Sequence, residues 1–250
     1  MYATYAQFVV ELMRLPSRPA DEPSRLMVSN GEGAGDSFVR LWQELRAEGR
    51  GMVGFSAHIG SIDILAGAFA ARGLPIHGVA DDSAYPELFE LLNESRRRWG
   101  VGVIPWRNLR ELYRVLRSCG IVGLVIDWGY RAEDVPVKLF GAWTTLPAGP
   151  AVIAARTNAA LVPVICRRNP DGTFDARHFA PVPVGGDSPR DIAVAMQACA
   201  DALESMIAAA PDQWYSFKPI WPRTAQEAET LERRHAAMLS SEPARRAARR

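Results

Sequence analysis

The chain has 250 residues, 48% of them hydrophobic, with 29 Lys and Arg against 28 Asp and Glu for a net charge of +1. That balance lacks the basic footprint of a general nucleic-acid binder, and the length suits one globular domain, or one with a small appendage. Three scattered cysteines, Cys119, Cys166 and Cys199, form no CxxC pair and argue against a disulfide framework or zinc ribbon.

Residues 1–15 read as an amphipathic helix with Tyr5, Phe8, Val9 and Leu12 on one face, suited to packing on a core or lying in a membrane interface. They lack the basic start and cleavage site of a signal peptide. Residues 16–36 are rich in Pro, Gly, Ser and Asp and read as a connector, with its GEGAG run taken as a turn. Helical periodicity covers Ser37–Glu48. Strands are expected at Gly51–Ala57, Ile76–Ala80, Val101–Pro105 and Ile121–Ile126, alternating with helices at Ile62–Arg72, Pro86–Arg98 and Leu109–Arg117.

After a long loop come a strand at Val137–Phe140, a helix opened by the Pro147–Pro150 punctuation, and strands at Leu161–Arg167 and Phe174–Val182 near the far sheet edge. A long amphipathic helix spans Ile192–Ala209, and residues 223–250 read as a charged, solvated helix fraying into disorder. The alternation predicts an α/β fold: a single layered domain over residues 1–222 with a central, mostly parallel sheet flanked by helices. Charge-free apolar runs such as Gly120–Ile126 are far shorter than a transmembrane span.

Chemistry concentrates in GFSAHIGSIDILAG. His58 ends a strand, Gly60 and Ser61 form the turn, and Asp63 opens the next helix. Across such a turn a carboxylate and an imidazole can converge, which fixes the histidine tautomer and raises its basicity. A first-turn aspartate favoured by the helix dipole, beside a satisfied histidine, fits the same residues. His77, His178 and His235 lack metal-ligand spacing, so no metal is expected.

RGMVGFSAHIGSIDILA, RRRWGVGVIP, LVIDWG, VKLFGAWTTLPAGPAVIAARTNAALVPV and PDQWYSFKPIW occur in this order. Together they resemble the bacterial lipid A biosynthesis acyltransferases and the related phosphatidylinositol mannoside acyltransferases. Both belong to the lysophospholipid acyltransferase-like group with its HxxxxD or HxxxxE signature, and the resemblance covers roughly residues 1–223. It implies a glycerolipid acyltransferase-like fold and an O-acyltransferase that needs no cofactor. Acyl-CoA or acyl carrier protein would be the donor, and a hydroxyl of a membrane glycolipid, such as a lipid A precursor or a phosphatidylinositol mannoside, the acceptor. His58 would be the general base and Asp63 its support. Arg96, Asp127, Ser61 and Glu133 would contact substrate.

The implied location is peripheral, on the cytoplasmic face of the bacterial inner membrane, with no nucleic-acid partner. The chain departs from the family at Trp128–Gly129, where a second polar residue is usual, and at Pro136, where the mycobacterial branch has a glutamate that Glu133 or Asp134 would replace. Trp214, Phe217 and Trp221 are expected to be core aromatics. A catalytically degenerate homologue acting as a membrane lipid-binding or partner protein, and a thioester hydrolase, are the alternative functions.

Overall fold

A computed structural model describes residues 2–28, 34–81 and 85–243. The chain opens with α1 (Tyr2–Arg14), α2 (Glu22–Leu26), β1 (Met27–Val28) and α3 (Ala34–Ala47). The alternating segment follows as β2 (Met52–Ser56), α4 (Ile62–Ala70), β3 (Ile76–Ala80), α5 (Pro86–Arg98), β4 (Gly102–Pro105), α6 (Leu109–Arg117) and β5 (Ile121–Val125). A hairpin of β6 (Val135–Leu139) and β7 (Ala142–Leu146) leads to α7 (Gly149–Thr157), β8 (Ala160–Arg168) and β9 (Phe174–His178). Then come α8 (Pro189–Ala209) and α9 (Ala225–Leu239).

Among the described residues, seven strands form one sheet in the order β1, β9, β8, β2, β5, β3, β4. All neighbours run parallel except β8 and β9, giving the mostly parallel α/β layer expected. β2 is buried at every position, as a strand covered by helices on both sides must be. One face of the sheet packs against α6, α7 and α8 through Val53, Phe55, Val122 and Leu161. The other packs against α3, α4 and α5 through Met52, Ile121, Val162 and Phe69. Burying one such large apolar side chain contributes about 1.5–3 kcal/mol before entropy is counted.

Several expectations shift. The connector is docked structure: α2 and β1 lie within it, Trp99 Nε1 donates to the Pro19 carbonyl at 3.2 Å, and Gly67 leaves room for Pro23 and Trp99. Of its GEGAG run, residues 31–33 lie outside the described residues. β8 and β9 do lie near the far edge of the sheet as expected, third and second from it, with the two-residue β1 outside them. The AWTTL run of β7 lacks the strict alternation that marks a strand, yet it pairs with β6 across a turn at Phe140 and Gly141, both at positive φ.

α9 is anchored rather than loosely solvated. A Thr224–Glu227 capping box starts it, Leu231 is buried, and Arg234 donates to the carbonyls of Ala132, Glu133 and Asp134. Residues 244–250, with the basic end of the tail, lie outside the described residues. Among the described helices, α8 alone is long and apolar enough to cross a membrane, and its apolar face is committed to the core through Ile192, Met196, Leu203 and Met206.

Candidate active site

Strands β2 and β5 pair in parallel register from Met52 opposite Ile121 to Ser56 opposite Val125. Two residues further, the same register sets His58 against Asp127, just outside the carboxyl ends of the strands where α/β sheets bind ligands. Asp127 Oδ1 lies 2.7 Å from His58 Nδ1, and both carboxylate oxygens accept the His58 backbone N–H at 3.0 Å. Trp214 Nε1 donates to Oδ2 at 2.7 Å.

Burial of Asp127 raises its pKa, but the hydrogen bonds and charge attraction from His58 and the Trp214 bond outweigh it and hold the group below the ordinary carboxylate value. An ionised carboxylate only accepts, so Nδ1 must carry the proton and the lone pair of neutral His58 sits on Nε2. Among the described residues nothing hydrogen-bonds Nε2, and the His58 side chain is 39% exposed while that of Asp127 is 2% exposed.

The turn after β2 is tightly determined. Gly60 has φ +59°, and a Cβ there would lie 1.8 Å from the Cys166 carbonyl oxygen. Tyr215 N–H donates to the His58 carbonyl at 2.7 Å, so the segment carrying Trp214 is strapped beside the histidine. Ser61 caps α4, its hydroxyl accepting the Ile64 N–H at 3.4 Å. Asp63, in the first turn of α4, turns away from His58 to Arg96: Nε donates to Oδ1 at 2.7 Å and Nη2 to Oδ2 at 3.3 Å. Burial alone would lower the pKa of Arg96, yet its attraction to Asp63 raises it. The sequence pairing of His58 with Asp63 is therefore replaced by two interactions, His58–Asp127 and Asp63–Arg96.

Asp63 and Arg96 line an apolar cavity of about 130 Å³ between α4 and strands β2, β5 and β3. Its lining is predominantly apolar, the kind of surface that takes up hydrocarbon. Ser56, two residues before His58, also lines it. Its hydroxyl is buried without a hydrogen-bond partner among the described residues. Nothing in the sequence marks that hydroxyl as unpartnered.

Glu133 is exposed and is not brought to His58; its carbonyl is held by Arg234. Pro136 is packed in the hairpin, where its carbonyl meets His235 Nδ1 at 2.9 Å. Trp128 presents its ring perpendicular to that of His58 at 5.8 Å, and Gly129, at φ +94°, lets the chain pass Lys218 and Pro219. The aromatics of the PDQWYSFKPIW segment divide. Trp214 serves Asp127, whereas Phe217 and Trp221 are exposed rather than core residues. Burial pushes the Cys166 and Cys199 thiols up to about 12, which leaves neither as a thiolate at neutral pH. Among the described residues no group of three or more His, Cys, Asp or Glu is placed to hold a metal ion.

The family model described as bacterial lipid A biosynthesis acyltransferase matches residues 1–223. A protein named phosphatidylinositol mannoside acyltransferase from Mycolicibacterium smegmatis is 31% identical over 226 residues, 88% of this chain and 70% of that one. Proteins of the same name from two strains of Mycobacterium tuberculosis are 29% identical over 182 residues, 70% of this chain and 56% of theirs. The match spans the sheet, the histidine turn and the strap bearing Trp214, and the chain is an O-acyltransferase belonging to the bacterial lipid A biosynthesis acyltransferase family.

Proposed function

We propose that the protein moves a fatty acyl group from a thioester, acyl-CoA or acyl carrier protein, to a hydroxyl of a membrane glycolipid. The similarity to phosphatidylinositol mannoside acyltransferases favours a mannosylated phosphoinositide over a lipid A precursor as acceptor. The observation that carries this reading is His58, its Nδ1 on Asp127 and its side chain 39% exposed, in the turn between Ser56 and Asp63, which both line an apolar cavity.

Nε2 takes the proton of the acceptor hydroxyl as its oxygen attacks the thioester carbonyl carbon. Asp127 holds the imidazole in the required tautomer and stabilises the imidazolium that forms, as the carboxylate of a hydrolase triad does. The tetrahedral intermediate then collapses, the C–S bond breaks, and the imidazolium returns its proton to the departing sulfur. The acyl chain lies in the cavity. Arg96, held by Asp63 in the lining of the cavity, would offer its remaining N–H donors to phosphate groups of donor or acceptor.

Contact with the membrane is peripheral, on the cytoplasmic face of the bacterial inner membrane. It would run through exposed apolar side chains such as Tyr2, Val10 and Met13 of α1 and Phe217, whose ring stacks on Tyr2. Lipid mass spectrometry tests the proposal, comparing membranes from cells lacking the protein with cells expressing wild type or His58→Ala. One glycolipid gaining a fatty-acyl mass only with wild type is the expected result. No difference among the three, in a host that makes the acceptor and with folded protein present, would overturn it.

A further inference from the structure

The cavity owes its space to three glycines. Gly54 of β2 stands opposite Gly123 of β5, which stands opposite Gly78 of β3, so one row across three adjacent strands carries no side chain. The row faces α4, because its neighbours on the same side, Met52, Ile121 and Ile76, belong to the core beneath that helix. Glycine weakens a strand interior, and usually answers a bulge or a close approach of another backbone or a ligand. Here nothing among the described residues makes that approach. A Cβ built on Gly78 meets nothing within 4 Å, and on Gly54 and Gly123 the nearest atoms are 3.9 and 3.8 Å away. By contrast, a Cβ on Gly51 or Gly102 would strike neighbours at 2.5 or 2.2 Å. The missing side chains leave room for something other than protein.

We infer that Gly54, Gly123 and Gly78 determine how long an acyl chain the site accepts, an inference that rests on the acyl-transfer reading above. The layer nearest the catalytic end is Ser56, Val125 and Ala80, and the closing layer is Ile121 and Ile76. The glycine row lies between them, about 7 Å down the strands from the first layer. A chain entering beside His58 crosses the row only if it is long enough, and a side chain grown there blocks the deeper part.

The test titrates the full-length chain with octanoate, dodecanoate and palmitate, and assays transfer from the corresponding CoA thioesters, in wild type, Gly78→Val, Gly78→Ala and Gly123→Ala. Wild-type affinity should rise with chain length. In Gly78→Val the preference for palmitate over octanoate should fall by about tenfold or more, with a smaller fall in the alanine variants. Melting temperatures should hold or rise, since the new side chains enter empty space; if the valine variant does not fold, the alanine variants carry the comparison. Wild-type affinity independent of chain length, or an unaltered palmitate preference in folded variants, would overturn the inference. Chain-length selection that shifts as expected, with no acyl transfer by any form, would uphold the glycine row and overturn the acyl-transfer proposal instead.

Discussion

Asp127 and His58 lie 69 residues apart in sequence and meet because β2 and β5 are paired in parallel, with Asp127 Oδ1 2.7 Å from His58 Nδ1. Replacing that carboxylate by an amide keeps the shape but loses the charge and lets the imidazole take the wrong tautomer. Asp127→Asn should lower kcat by about two to four orders of magnitude with an unchanged near-ultraviolet spectrum. A kcat within a few-fold of wild type would show that Asp127 is not the group orienting His58.

The Asp63–Arg96 pair makes a different forecast. Both side chains are largely buried, at 9% and 18% exposed, so removing one partner strands a charge away from water. Arg96→Met should destabilise the fold by about 3–5 kcal/mol in urea unfolding, and Asp63→Leu/Arg96→Met by much less. Equal losses in the single and double variants would mean that the pair does not act as a unit.

How much of this was legible in the sequence divides along physical lines. Pro86–Arg98, Leu109–Arg117 and Ile76–Ala80 have the same bounds in sequence and structure because proline, capping Asn108 and apolar periodicity act locally. Partner choice is not local. Asp63 is near His58 in sequence and Asp127 is remote, yet strand register gives the imidazole to Asp127. Likewise Trp214 reads as one aromatic among several until the strap from Gln213 to Tyr215 is seen hydrogen-bonded to Gly60 and His58. The resemblance supplied the candidates His58, Asp63, Arg96 and Asp127, and the fold sorted them into two pairs.

Acid should weaken the protein through Asp127. Its folded pKa lies below the ordinary 3.8, so the unfolded chain binds the proton more readily. The group's stabilising contribution is present above 3.8 and is lost as pH falls through the folded value. Denaturant titrations from neutral pH downward should show a constant gap between wild type and Asp127→Asn above about pH 5 that narrows below about pH 4. A gap that widens on acidification would contradict the depressed pKa.

Ser56 provides a separable check on the donor site. Its buried hydroxyl lacks a partner among the described residues, so Ser56→Ala should raise stability by about 1 kcal/mol, or roughly 2–4 °C in melting temperature. If the hydroxyl instead bonds the thioester oxygen of bound donor, the same variant should also raise the donor KM by about tenfold. A stabilised variant with unaltered donor KM would remove Ser56 from the site.

The decisive comparison is turnover by purified wild type and His58→Ala, using acyl-CoA and a detergent-dispersed mannosylated phosphoinositide, with acylated product counted by mass spectrometry. General-base catalysis by His58 requires the variant to melt at the wild-type temperature and to lose about two to four orders of magnitude in rate. A folded His58→Ala protein that transfers the acyl group at near wild-type rate would contradict the mechanism outright.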